Sequence, residues 1–216
     1  MGSKINAQLL NKFVRFSFFA LIIAGLALLL GNKSWWPSFY TPFFYGWAFL
    51  TSAGLIILPK YIFRTKDKCR RETLILLQAA IALALVLNAL GELYLYKLYQ
   101  YGIQYDKFLH FTNSFLLVVV IASFLEIWYE LPFKKALGFA ALAVIAGSFL
   151  WEVIEYSSDL IFKTSEFGVY GQYMFSDTLF DLLSDGLGVI LSSVFLLAPE
   201  KRQARISEYC HSPLAK

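Results

Sequence analysis

Apolar residues run in six long stretches, at about 13–31, 42–63, 73–97, 107–129, 135–160 and 175–198, with short polar segments between them. A helix needs about 20 apolar residues to cross the hydrocarbon core of a bilayer, and each stretch is long enough. The stretches are continuous in Leu, Ile, Ala and Phe. They lack the period-2 alternation of a transmembrane β-strand, so the pattern predicts helices. The expected fold is all-α: a polytopic membrane helix bundle of six transmembrane helices. It forms a single domain over residues 1–200, followed by a tail at 201–216. No internal repeat, P-loop, dinucleotide fingerprint or low-complexity linker interrupts this reading.

Composition agrees, since 58% of the 216 residues are hydrophobic and 16% charged, with a mean hydropathy of +0.59, a balance foreign to soluble domains. The basic residues divide unevenly. Fifteen of the nineteen Lys and Arg fall before or at the start of the first stretch, at the end of stretch two or between it and stretch three, between four and five or at the start of five, or in the tail; Lys33, Lys97, Lys107 and Lys163 fall on the other side. The positive-inside bias then predicts that both termini are cytoplasmic and the expected location is the cytoplasmic (inner) membrane. The aromatic segment "SWWPSFYTPFFYGW" (34–47) and Tyr94, Tyr96, Tyr99, Tyr101 and Tyr105 belong at the outer headgroup level, where their plain role is interfacial anchoring. The net charge of +4 sits in topology-setting loops and gives no case for a nucleic-acid partner. The basic segment "KYIFRTKDKCRRE" (60–72) suits contact with anionic lipid. Cys69 and Cys210 both fall on the cytoplasmic side, where free thiols are expected.

Polar residues inside the stretches alter the picture. Stretch three ends with Asn88 and Glu92, and four begins with Asp106, His110 and Asn113. Five ends with Ser148, Glu152, Glu155 and Asp159, and six begins with Asp177, Asp181 and Asp185. All fall in the outer half, and steps of three and four place those of each helix on one face. Ionisable groups within a span nearly always face the bundle interior or a wet cavity, because exposure to lipid at the helix centre costs on the order of 2.5–3.5 kcal/mol. The stripes are therefore expected to converge on one outward-facing polar site.

That site would collect eight acids, Glu92, Asp106, Glu152, Glu155, Asp159, Asp177, Asp181 and Asp185. With Lys97, Lys107 and Lys163 nearby, the formal charge is −5. Carboxylates crowded in a low dielectric share protons or take up a cation. An oxygen-rich set with one imidazole suits Mg²⁺, Mn²⁺ or Ca²⁺, and Zn²⁺ if the histidine ligates. The expected metal ligands are His110, Glu152, Glu155 and Asp181. His110, Glu152 and Asp181 are the candidate catalytic groups, supported by Asp106, Glu92, Asp177 and Asp185. Plainer roles exist for some of them: Asp106 and Asp177 suit helix N-terminal caps, Asp159 a helix-end charge, and His110 alone a hydrogen-bonded buried histidine. Glu152, Glu155, Asp181 and Asp185 lie too deep for such roles, about 7–18 Å inside their spans.

The segments "DKFLHF" (106–111), "WEVIEY" (151–156) and "DTLFDLLSDGLG" (177–188) resemble the VanZ-like and YjdF-like families of multi-pass membrane proteins. The resemblance runs through Asp106, Lys107, His110, Phe111, Glu152, Glu155, Asp177, Thr178, Asp181 and Gly188. It covers about 85 residues, the fourth to sixth stretches. Asp185 departs from it, standing where the VanZ-like pattern has Asn, and "GVYGQYMF" (168–175) replaces the Gly-Thr-Gln-Gly-Asp run of YjdF-like proteins. The resemblance implies a role in the cell envelope, linked in VanZ-like proteins to glycopeptide resistance, without a defined chemistry.

Three classes of function follow. The first is a membrane enzyme whose cation engages a phosphate-bearing envelope lipid, with a carboxylate or His110 handling a proton. The second is a proton- or metal-ion-coupled transporter. The third is an envelope scaffold with a hydrogen-bonded polar core. Acids concentrated in the outer half, with only Glu126 deeper inside, favour the first over a through-going path.

Overall fold

A computed structural model describes residues 6–35, 41–162 and 174–198. Six long helices account for nearly all of them: α1 (Ala7–Leu30), α2 (Pro42–Ile62), α3 (Lys68–Leu93), α4 (Tyr105–Trp128), α5 (Phe133–Phe162) and α6 (Met174–Leu197). Each is long and apolar enough to cross a membrane, and no strand occurs among the described residues. The expected tail at 201–216, Lys163 and the 168–173 segment lie outside the described residues.

Local chemistry sets the helix ends. The Asn6 side chain accepts from the Leu9 amide at 3.1 Å to cap α1, and Pro42 opens α2 where its missing N–H costs nothing. The Asp67 carboxylate accepts from the Arg70 amide at 2.7 Å. This cap starts α3 five residues before the expected 73, because a basic first turn is helical without being apolar. α3 also ends earlier than expected, at Leu93, and a 3-10 turn follows over Leu95–Tyr101. Gly102 closes that turn at φ +78°, a left-handed conformation open to glycine. The Tyr96 hydroxyl donates back to Asn88 Oδ1 at 2.7 Å, and the Tyr105 hydroxyl donates to the Leu87 carbonyl at 2.8 Å. The return into α4 is thereby clasped to α3.

The helices pack as two groups of three. α1, α2 and α3 surround Leu21, Phe49, Ala53, Ile56 and Ala82, while α4, α5 and α6 surround Val118, Ala122, Ala140, Val144 and Val189. The groups join where α3 lies on α4, across Leu74, Leu77, Ala80, Val120 and Phe124. Large apolar side chains cover the outer faces of α1, α5 and α6, among them Ile23, Phe149 and Leu187. A hydrocarbon solvent accommodates such a surface where water would not.

At one end Arg70 Nη2 meets Glu130 Oε1 at 2.8 Å, tying the start of α3 to the turn between α4 and α5. The polar stripes lie at the other end. Cys69 is disulfide-bonded, which corrects the expectation of a free thiol there; Cys210 lies outside the described residues.

Candidate functional site

Two ladders face each other. Lys107, His110 and Ser114 step by three and four along α4, and Asp177, Asp181 and Asp185 step by four along α6. Both spacings hold side chains on a single helical face. The two helices pack closely here, with Gly188 at the crossing: a Cβ at this residue would stand 2.5 Å from the Phe111 carbonyl oxygen. Glycine lets the backbones touch and the short Asp and Ser side chains reach across.

At the outermost rung, Lys107 Nζ lies 2.5 Å from Asp177 Oδ1, 3.1 Å from Asp106 Oδ2 and 2.6 Å from Asp181 Oδ1. In the next, His110 Nδ1 is 2.9 Å from Asp185 Oδ2. In the deepest, the Ser114 hydroxyl donates to Asp185 Oδ1 at 2.5 Å. Asp177, Asp181 and Asp185 are buried, so each carboxylate depends on its partners on α4 rather than on water.

His110 Nε2 faces one oxygen of Asp106 and one of Asp181, each at 3.7 Å. These distances are too long for hydrogen bonds. With Nδ1–H donated to Asp185, the Nε2 lone pair would point at two carboxylate oxygens, a repulsive arrangement. A positive species between them, either a proton on Nε2 or a metal ion, turns the repulsion into attraction. Asp106, His110 and Asp181 can each present a ligand atom within 4.8 Å of the others'.

Glu152 on α5 is buried, and its Oε1 has no hydrogen-bond partner among the described residues. It stands beside Thr178 and within electrostatic reach of His110, Asp106 and Asp185. Together these residues bring five carboxyl groups, one lysine and one histidine to one end of α4, α5 and α6. With the histidine neutral their formal charge is −4.

Of the expected site residues, His110, Asp181 and Asp185 meet directly, as do the supporting Asp106 and Asp177, and Glu152 adjoins them. Glu155 accepts from the Trp151 indole N–H at 2.6 Å along its own helix. Asp106, expected only as support, stands beside His110 and Asp181. Glu92 sits half-buried at the end of α3 and is not one of the three residues that could share an ion. Ser114 was not among the expected residues, and Lys107 was expected only as a nearby charge and as part of the family resemblance. Both lie three or four residues from His110, on the same helical face.

A fold of six membrane-length helices with a buried His/Asp cluster defines a multi-pass α-helical membrane protein. Within that class, the chain belongs to the family described as a predicted membrane protein (DUF2238), which it matches over residues 18–202. The match takes in the whole cluster. Comparisons with curated proteins and with solved structures give no match.

Proposed function

We propose that the cluster holds a divalent cation between Asp106, His110 and Asp181, with Glu152 as a further oxygen ligand, and that the protein uses it to engage a phosphate-bearing lipid of the cell envelope. The observation that carries this reading is His110 Nε2 aimed at two carboxylate oxygens 3.7 Å away while Nδ1 is held by Asp185 at 2.9 Å. Two ligands on one ion, each at about 2.0–2.2 Å, stand about 3–3.6 Å apart, close to the two 3.7 Å separations from His110, and all three ligand atoms lie within 4.8 Å of one another. A metal-bound histidine commonly donates its other N–H to a carboxylate, which fixes its tautomer. Asp185 fills that role and is itself held by Ser114.

The donor set of one imidazole with carboxylates suits Mn²⁺ or Zn²⁺ best, with Mg²⁺ and Ca²⁺ as the oxygen-preferring alternatives. Lys107 competes with the ion for Asp181, since its Nζ is 2.6 Å from the same Oδ1. Metal binding would therefore turn the ammonium toward Asp106 and Asp177, its other two partners. A cation bound here supplies Lewis-acid attraction for a phosphate oxygen. Lys107 is enclosed by three carboxylates and so is not itself free to meet a phosphate. The likeness to VanZ-like proteins supports the same site, since Asp106, Lys107, His110, Glu152, Asp177 and Asp181 carry that likeness and also come together in space. The basic residues at the Arg70 end support the proposed orientation, with both termini cytoplasmic, the cluster toward the outer leaflet and the protein in the cytoplasmic (inner) membrane.

Melting temperature, followed during titration with Mn²⁺, Zn²⁺, Mg²⁺ and Ca²⁺ in turn, tests the cation. A ligand bound only by the folded state adds about 2.7 kcal/mol of stability at one hundred times its Kd. At least one ion should raise the melting temperature of the chelator-treated protein. No response to any of the four would point instead to protons shared among the carboxyl groups, and so to the transporter or scaffold classes.

A further inference from the structure

Beside the cluster lies a cavity of about 290 Å³, in the size range of small-molecule sites. Asn88, His110, Asn113, Ser114, Ser148 and Asp185 supply most of its polar lining, and Leu85, Leu117 and Ile121 are among its apolar walls. Along α4 it extends from His110 to Ile121, eleven residues or about 16 Å. Its side walls come from α3 and α5, both of which pack on α4 but hardly on each other. The gap between them faces the surroundings of the bundle, where α5 presents Leu142, Ile145 and Phe149 outward. Water gains little at its inner end, where Leu117 and Ile121 offer no polar side chain.

We infer that this cleft receives one hydrocarbon chain of a membrane lipid, entering sideways between α3 and α5 so that the lipid's head group stands at His110, Asn113 and Asp185. Asn113 presents a buried amide oxygen without a hydrogen-bond partner among the described residues, an acceptor suited to a hydroxyl near the head of a glycerolipid. His110 and Asp185 belong to both the cavity wall and the ladder, so a head group placed here adjoins the proposed cation site. The phosphate on that head group rests on the cation reading, whereas the place of the chain rests on the cavity alone. Small residues on α5 keep the cleft open. At Gly147, which lines it, an added Cβ would meet nothing within 4 Å.

The test uses the full chain in vesicles of phosphatidylethanolamine and phosphatidylglycerol, with a photoreactive phosphatidylglycerol bearing a diazirine at the end of one acyl chain. Cross-links are expected on Leu117, Ile121 and Leu85, inside the cleft, as well as on outward-facing Phe149, which any bilayer chain can touch. Gly147→Leu fills open space, and a leucine suits a helix better than a glycine does. The variant should fold, lose cleft cross-links about tenfold and keep those on Phe149. Ala143→Leu, one turn away in the same wall, gives the second reading should Gly147→Leu fail to fold. Cross-links confined to outward-facing residues, or cleft cross-links undiminished in a folded variant, would overturn the proposal. Asp181→Asn separates the two ideas. It should lose the metal and keep the cleft cross-links, so failure of one reading leaves the other measurable.

Discussion

At the residue scale the site depends on how buried charges are compensated. Among the described residues Lys107 is the ammonium that meets the clustered carboxyl groups, and removing one partner of a buried ion pair costs on the order of 3–5 kcal/mol. Lys107→Met is therefore expected to destabilise the chelator-treated protein by about that amount, and a divalent cation should recover part of the loss; melting curves with and without metal check both. Asp185→Asn keeps the shape of the histidine's support but removes its charge, so metal affinity should fall about 10- to 100-fold, the usual effect of losing such a partner, as read by titration. His110, Glu152, Asp181 and Asp185 were legible in the sequence, because an ionisable residue several turns inside an apolar run has few plain explanations. The pairing of Lys107 with three carboxylates was not legible, because lysines near a span end ordinarily reach water, nor was Ser114, because serines are common in membrane helices. Spacing also could not show that the Trp151 indole N–H, four residues before Glu155, donates to its carboxylate.

At the element scale, α4 and α6 must approach closely for their ladders to meet, and Gly188 permits it. Gly188→Ala places a Cβ 2.5 Å from the Phe111 carbonyl oxygen. Backbone against backbone has little room to adjust, so a loss of about 1–3 kcal/mol is expected, together with weakened metal binding as His110 and Asp185 separate. Gly147→Ala is the matched control. It meets nothing within 4 Å and should be neutral or stabilising by up to about 1 kcal/mol; thermal melts of the two variants decide. Hydropathy alone revealed the existence of all six helices. Their ends were less legible, because capping and length follow other chemistry. The Asp67 cap carries α3 into a basic turn, and α5 runs for 30 residues, Phe133–Phe162, two residues beyond the expected 135–160 at each end.

Over the whole molecule, two three-helix groups share the α3–α4 contact, and the polar cluster lies opposite the end held by Arg70 and Glu130. Tags in the 64–72 loop and at either terminus should be reachable only from the cytoplasmic side of sealed cells. Reagent access to that loop only from outside would turn the acidic cluster toward the cytoplasm. Sequence spacing could show that the stripes share a depth and a face. It could not show which stripes pair, since that depends on the α4–α6 crossing at Gly188, nor that α3 and α5 stand apart to leave a cleft. The claim on which the functional reading turns is that Asp106, His110 and Asp181 share a metal ion. Elemental analysis of protein purified without chelator measures it most directly, for the unaltered chain, Asp181→Asn and Glu155→Gln. About one divalent ion per chain is expected in the unaltered protein and in Glu155→Gln, and close to none in Asp181→Asn. An unaltered protein without metal, or a folded Asp181→Asn variant with its full complement, would contradict the account.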